Sequence, residues 1–331
     1  MREEQVVIIG AGPCGMSAAI ELMKEGYDPL VIEKGNIVNA IYNYPTHQTF
    51  FSSSEKLEIG DVPFIIEERK PKRNQALAYY RDVAKRKDLR IHSFEKANLI
   101  TKQEDGFVIK TEKVHESKEV TYLAKKLIIA TGYYDSPNFM DIPGEDLDKV
   151  LHYFKEPHPY FDQDIAVIGG KNSAVDATLE LEKAGARVTI LYRGSDYSKS
   201  VKPWILPEFE ALVKNDKVSM EFNARLLEVR EKEIDYDVNG NRKTIPNDFV
   251  FAMTGYHPDH SFLTKIGIEI DEKSGRPFFD QETMETNVED CYIAGVIAAG
   301  NNANEIFIEN GRLHGAMIAK AIINKAQKPT Q

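Results

Sequence analysis

The sequence predicts an α/β chain of two Rossmann-like, three-layer (ββα/αβα) dinucleotide-binding domains, the second inserted in the first. Three observations predict it. A β-branched run leads directly into Gly10-x-Gly12-x-x-Gly15, and a second strand, glycine turn and helix appear around Gly169-Gly170-Lys171-Asn172-Ser173-Ala174. The length of 331 residues also exceeds what one hydrophobic core usually organises.

Residues 5–9 (Gln-Val-Val-Ile-Ile) form the first strand, and apolar Met16, Ala19, Ile20 and Met23 then recur at helical spacing up to Gly26, which is placed to end the helix. Residues 30–32 form the next strand, stopping at Glu33. The plan returns with a strand at 165–168, a helix at 174–184 ended by Gly185, and a strand at 187–192 with Arg193 at its end. Between the two units, strand-like segments at 107–110, 120–123 and 127–130 read as an antiparallel insert closed by Thr131-Gly132. Pro137, Pro143 and Gly144 mark the crossing, and residues 250–259 make a strand and turn that lead back. The expected domains are therefore 1–147 and 255–331, which together bind one dinucleotide, and 148–254, which binds the other.

In the first turn, Gly10 permits the tight bend, Gly12 lets a pyrophosphate approach the backbone, and Gly15 lets the helix pack on the strand. The helix amino terminus adds free N–H groups and a partial positive charge. Glu33, at a strand end, is placed to accept hydrogen bonds from a ribose. In the second turn Lys171 stands where the middle glycine would be, and Asn172 and Ser173 are able to cap the helix. Arg193 replaces the ribose-binding acid with a cation, which suits a 2′-phosphate and so NADPH, with Lys199 and Lys202 following.

Composition narrows the partners. With 42% hydrophobic and 28% charged residues, a net charge of −10 and no basic run, the chain lacks the cationic surface that nucleic acid requires. No apolar run approaches the roughly 20 residues of a spanning helix, and only four residues precede the first strand, so no membrane association and a cytoplasmic location are expected. His47, His152, His158, His257 and His314 lack metal-ligand spacing, and no metal is expected. Of two cysteines, Cys291 lies in an apolar strand. Cys14 has two readings: a thiol whose pKa the helix terminus lowers, or a small residue packed where the helix meets a cofactor. Tyr42, Tyr44, His47, Phe50 and Phe51 form an aromatic cluster that suits either the wall of a flat cofactor or core packing.

The stretches Gly10 to Gly15, Ala130-Thr131-Gly132, Gly169 to Ala174 and Tyr292-Ile-Ala-Gly295 resemble the two-dinucleotide-domain flavin reductases of the thioredoxin reductase type over nearly the whole chain. Ile9-Gly-Ala-Gly-Pro-Cys-Gly15, Tyr42-Asn-Tyr-Pro-Thr-His-Gln-Thr-Phe-Phe-Ser-Ser-Ser54 and Gly169-Gly-Lys-Asn-Ser-Ala174 narrow this to the bacillithiol disulfide reductases of the YpdA type. The resemblance implies FAD on Gly10, Gly12, Pro13, Cys14, Gly15, Glu33, Lys34, His47, Gln48, Thr131, Gly132 and Gly295. It implies NADPH on Gly169, Gly170, Lys171, Asn172, Ser173, Arg193 and Lys199. Cys14 becomes the redox thiol, a small thiol disulfide the substrate, and a homo-oligomer, dimer or tetramer, the expected assembly.

Three positions depart from thioredoxin reductase. The Cys-x-x-Cys is absent, residues 152–160 reading His-Tyr-Phe-Lys-Glu-Pro-His-Pro-Tyr, so direct dithiol relay is excluded. Val296 replaces the acid after the closing glycine, with Asn301 after Gly300 as the shifted alternative, and Lys171 is the third departure. Residues 45–64 and 152–176 also resemble flavin-containing monooxygenases, though their Phe-x-Gly-x-x-x-His string is missing around Phe154. A monooxygenase, or a ferredoxin/flavodoxin-type NADPH reductase without disulfide chemistry, is the alternative function.

Overall fold

The computed structural model describes residues 1–302 and 304–327. The chain divides into two compact units, one formed by Met1–Tyr42, Gln48–Ser136 and Tyr256–Gln331, the other by Asn43–His47 and Pro137–Gly255.

In unit 1, the strand Arg2–Ile9 lies between Leu30–Glu33 and Lys118–Ile129, parallel to both, and Ile91–Ser93 extends the sheet beyond Leu30–Glu33. Val6, Val7, Ile8, Leu30, Val31, Leu127, Ile128 and Ile129 are fully buried. Such continuous apolar runs mark parallel strands covered on both faces. The sequence reading divides 118–129 into two strands because Lys125 and Lys126 interrupt the apolar pattern. The structure has one strand that changes partners: its first part pairs antiparallel with Gly106–Lys113, its last part parallel with Arg2–Ile9 and Cys291–Ile293. Lys126 is accommodated by Asp290, 2.9 Å away. Glu95–Gln103, antiparallel to Gly106–Lys113, completes the insert.

The helix Pro13–Lys24 packs against His314–Gln327 at very short range. A methyl group added to Gly315 would lie 2.8 Å from the Ala18 backbone, so only glycine allows this approach.

Unit 2 has a five-stranded parallel sheet in the order Val218–Phe222, Arg187–Tyr192, Asp164–Ile168, Phe249–Ala252, Val150–Leu151. The helix Asn172–Lys183 begins two residues before the expected 174 and stops ahead of Gly185 at φ +86°. Neither Asn172 nor Ser173 caps it: Lys171 is the N-cap residue and no side chain closes the cap. A second sheet, unforeseen from sequence, contains Ala224–Val229, Glu233–Val238 and Asn241–Pro246. Residues 137–147 belong here, since Met140, Ile142 and Leu147 pack on its buried side and Val229 donates to the Pro143 carbonyl at 2.9 Å. Unit 2 accordingly starts at Pro137, not at 148, and the chain re-enters unit 1 at Tyr256. Among the described residues, no helix is long and apolar enough to cross a membrane, and no group of three or more His, Cys, Asp or Glu is placed to hold a metal.

Candidate cofactor and active site

The first glycine turn is built as the spacing requires. Gly10 donates to the Ile32 carbonyl at 2.8 Å, has φ +108°, and has no room for a Cβ, which would meet the Ala130 carbonyl oxygen at 2.5 Å. On Gly15 a Cβ would fall 2.0 Å from the Gly10 carbonyl oxygen. Gly12 is the reverse case, with nothing within 4 Å of an added Cβ, so the helix terminus is open for a phosphate to approach.

Glu33 closes this turn from the next strand. It is buried, and its two oxygens accept from Ala11 N–H at 2.8 Å and Gly35 N–H at 2.9 Å. Burial raises its pKa, opposed by those two hydrogen bonds. A carboxylate accepts about four hydrogen bonds, which leaves capacity for ribose hydroxyls. Lys34 is paired with Asp135 at 2.8 Å.

Three chain segments converge on the turn. Ala130-Thr131-Gly132 lies against Gly10 and Gly15, and Gly132 has φ +71°. Gly295, at φ +82°, and Gly311 close around Cys14: methyl groups on them would lie 2.9 Å and 3.0 Å from Cys14 Sγ. The sequence argument that the helix terminus lowers this thiol's pKa meets a larger opposing effect, since burial pushes it up to about 12. Asn301 is not drawn into this cluster as a substitute for Val296; its N–H donates to the Ser274 carbonyl and its side chain lies over Gly275.

The sequence reading treats His314 as structural and gives Gly311 no role. His314 Nδ1 accepts from Gly295 N–H at 3.2 Å, and burial lowers the imidazole pKa, which suits a neutral acceptor. The segment Asn310-Gly-Arg-Leu-His-Gly315, a polar, glycine-flanked entry to an apolar helix, was the signal available.

The aromatic cluster read from the sequence is divided between the two units. Phe50 is buried in unit 1, where Tyr42 and Phe51 are exposed, but Tyr44 and His47 belong to unit 2. His47 packs edge-on against Phe154 and lies 4.0 Å from Glu180, while Gln48, in unit 1, accepts from Arg73 N–H through its carbonyl at 2.8 Å.

The second turn repeats the first. Gly169 donates to the Leu191 carbonyl at 3.0 Å, has φ +135°, and faces the Met253 carbonyl as Gly10 faces Ala130. Lys171 holds φ −101° and ψ −174°, close to the −74° and 174° of Gly12. Both are extended conformations open to any residue, so lysine here needs no change of backbone. The Tyr192 ring fills the space beside Gly170 and Gly194, where a Cβ would come within 2.5 Å and 2.4 Å of it. Lys171, Ser173, Arg193 and Lys199 are exposed at this end of unit 2.

Two dinucleotide turns, one in each unit, and a thiol at the head of the first define a flavin- and nicotinamide-dependent oxidoreductase. The chain matches the description "Pyridine nucleotide-disulphide oxidoreductase" over residues 7–295. It is 66% identical to bacilliredoxin reductase Bdr of Bacillus subtilis (strain 168) over 328 residues, 98% of this chain and 99% of that protein. Two solved structures titled bacillithiol disulfide reductase Bdr (YpdA) are similar along their whole length. That from Bacillus cereus has TM-score 0.96 and 64% identity, covering 98% of this chain and 100% of its own. That from Staphylococcus aureus has TM-score 0.95 and 59% identity, covering 99% and 100%. The chain belongs to the pyridine nucleotide-disulphide oxidoreductase family: it is a flavoprotein disulfide reductase that uses FAD and a nicotinamide dinucleotide.

Proposed function

We propose that the chain reduces bacillithiol disulfide to two bacillithiol molecules with NADPH and a proton, FAD being held by unit 1 and NADPH by unit 2. The carrying observation is the single thiol of Cys14 at the head of the first dinucleotide turn, in a chain whose full-length relatives are titled for this disulfide. The open Gly12 turn and the buried Glu33 fit FAD, with Pro13, Lys34, Gln48, Thr131, Gly132 and Gly295 as further contacts. Gly169, Gly170, Lys171, Ser173, Arg193 and Lys199 form the NADPH site.

FAD, when bound, relays the electron pair from NADPH to the disulfide. Cys14 Sγ, once deprotonated, attacks the substrate disulfide: a protein–substrate S–S bond forms, the substrate S–S bond breaks, and the first thiol leaves with a proton. The relayed electron pair and a second proton release the other thiol. One protein cysteine suffices because both leaving thiols belong to the substrate. Since burial keeps Cys14 protonated in the free protein, its ionisation belongs to the liganded state. We place the enzyme in the cytoplasm as a homo-oligomer, dimer or tetramer, which light scattering reads directly.

The test is anaerobic NADPH oxidation with bacillithiol disulfide, cystine and glutathione disulfide in parallel. The expected result is turnover with bacillithiol disulfide and two thiols released per NADPH. Absence of turnover with every disulfide, while oxygen sustains NADPH oxidation, overturns the reading in favour of a monooxygenase or oxidase.

A further inference from the structure

Asn172 sits where a nucleotide contact is expected, yet its amide is already committed. Its Nδ2 donates to the Ser200 carbonyl and its Oδ1 accepts from Lys202 N–H, both at 2.9 Å. These two bonds fasten the 198–202 segment to the first turn of the helix Asn172–Lys183. The Ser198 and Ser200 hydroxyls, 2.9 Å apart, and a bond from Val201 N–H to the Ser198 carbonyl stiffen the same loop. Upstream, Asn223 N–H holds the Gly194 carbonyl at 2.9 Å, and Tyr197 packs edge-on against Phe209 and Phe222.

The segment leaving the strand Arg187–Tyr192 is therefore pinned at Gly194, Tyr197, Ser200 and Lys202. It carries Lys199 between the pins and Arg193 immediately ahead of the first, both exposed, and among the described residues neither forms an ion pair. In a chain of net charge −10, two cations left without carboxylates beside a dinucleotide turn suit an anion supplied from outside. A pre-set cation loses less conformational entropy when it meets that anion.

We propose that Asn172 is a positioning residue: it clips the 198–202 segment to the helix and so sets Lys199 to receive the ribose 2′-phosphate together with Arg193. This rests on the assignment of NADPH to unit 2. The amide acts through the loop and not on the nucleotide, so its loss lowers discrimination between NADPH and NADH and does so only while Lys199 is present.

The test compares kcat/KM for NADPH and for NADH in the FAD-loaded wild type, Asn172→Ala, Lys199→Ala and the double variant. Each single substitution is expected to lower the NADPH/NADH ratio about tenfold, the loss of roughly one charge-assisted contact. The double variant is expected to fall no further than Lys199→Ala alone, because residues acting through one contact are not additive. Multiplying effects, or an Asn172→Ala loss shared equally by both nucleotides, overturns the inference. If Asn172→Ala does not fold, Asn172→Gln, whose longer amide cannot span both bonds, takes its place, with amide exchange at Lys202 reporting release of the loop. A wild type without NADPH preference removes the phosphate assignment and this inference together. A preference abolished by Arg193→Ala but untouched at Asn172 sinks this inference alone.

Discussion

Glu33 joins two jobs in one buried carboxylate: it holds the first turn through Ala11 and Gly35 and keeps acceptor capacity for a ribose. Glu33→Ala orphans two N–H donors and removes that acceptor, at a cost of about 1.5–3 kcal/mol per charged hydrogen bond. Flavin absorbance after desalting should fall well below wild type and the denaturant midpoint should drop; full flavin retention would show that Glu33 serves the turn alone. Cys14 separates differently. Cys14→Ala removes a sulfur held between Gly295 and Gly311, a small cavity worth about 1 kcal/mol, so the variant should keep FAD and NADPH-driven flavin reduction in rapid mixing while losing disulfide turnover. Loss of FAD would assign the thiol to the cofactor site, and surviving turnover would remove it from catalysis. The position of Cys14 was legible in sequence, but its protonation was not, because the enclosing Gly295 and Gly311 come from 281 and 297 residues further along the chain.

The two glycine turns were legible because their short-range geometry is written in consecutive residues, and they differ in one instructive place. Gly15 has the Gly10 carbonyl oxygen 2.0 Å from an added Cβ, whereas the matching residue of the second turn, Ala174, carries a Cβ. Gly15→Ala should therefore destabilise unit 1 by about 1–3 kcal/mol of overpacking and release FAD, read by melting and by flavin content. A stable yellow variant would mean that helix and strand separate easily. Arg193→Ala should slow flavin reduction by NADPH and leave reduction by NADH little changed, as followed by stopped flow; an intact preference would show the cation to be misassigned. The antiparallel sheet of unit 2 escaped for two reasons. Asn239 and Gly240, at φ +52° and +85°, make the two-residue Asn-Gly turn that signals a hairpin, and that signal went unused. Its central strand does alternate Ile234, Tyr236 and Val238 with acids, but the polar positions are not simply solvated: Asp235 is a buried acid tied to Arg230, Arg242 and Thr244, with Arg230 first among the groups that depress its pKa.

Across the whole chain, both cysteines lie in unit 1, and the fold suppresses both thiols: burial pushes Cys14 and Cys291 up to about 12 from an ordinary 9.0. The consequence for stability has a definite sign. With folded pKa values above the unfolded ones, the folded chain holds two protons that the unfolded chain releases between pH 9 and 12. The contribution is thus fully present below pH 9 and is lost as pH climbs toward 12, at up to about 1.4 kcal/mol per pH unit for each thiol. Tyr122 and Tyr292, also raised by burial, steepen the same limb, so the slope of the wild type alone does not isolate the cysteines. The difference between wild type and a Cys14→Ala, Cys291→Ala double variant does, because the tyrosines are common to both. Denaturant unfolding from pH 7 to 11 should give a constant offset up to pH 9, set by the lost packing, and a narrowing above it as the wild type loses the thiol term. Parallel curves throughout would show that the thiols ionise as easily in the folded protein as in the unfolded chain. Cys14 would then ionise as an ordinary thiol before any ligand enters, neither suppressed nor activated by the fold.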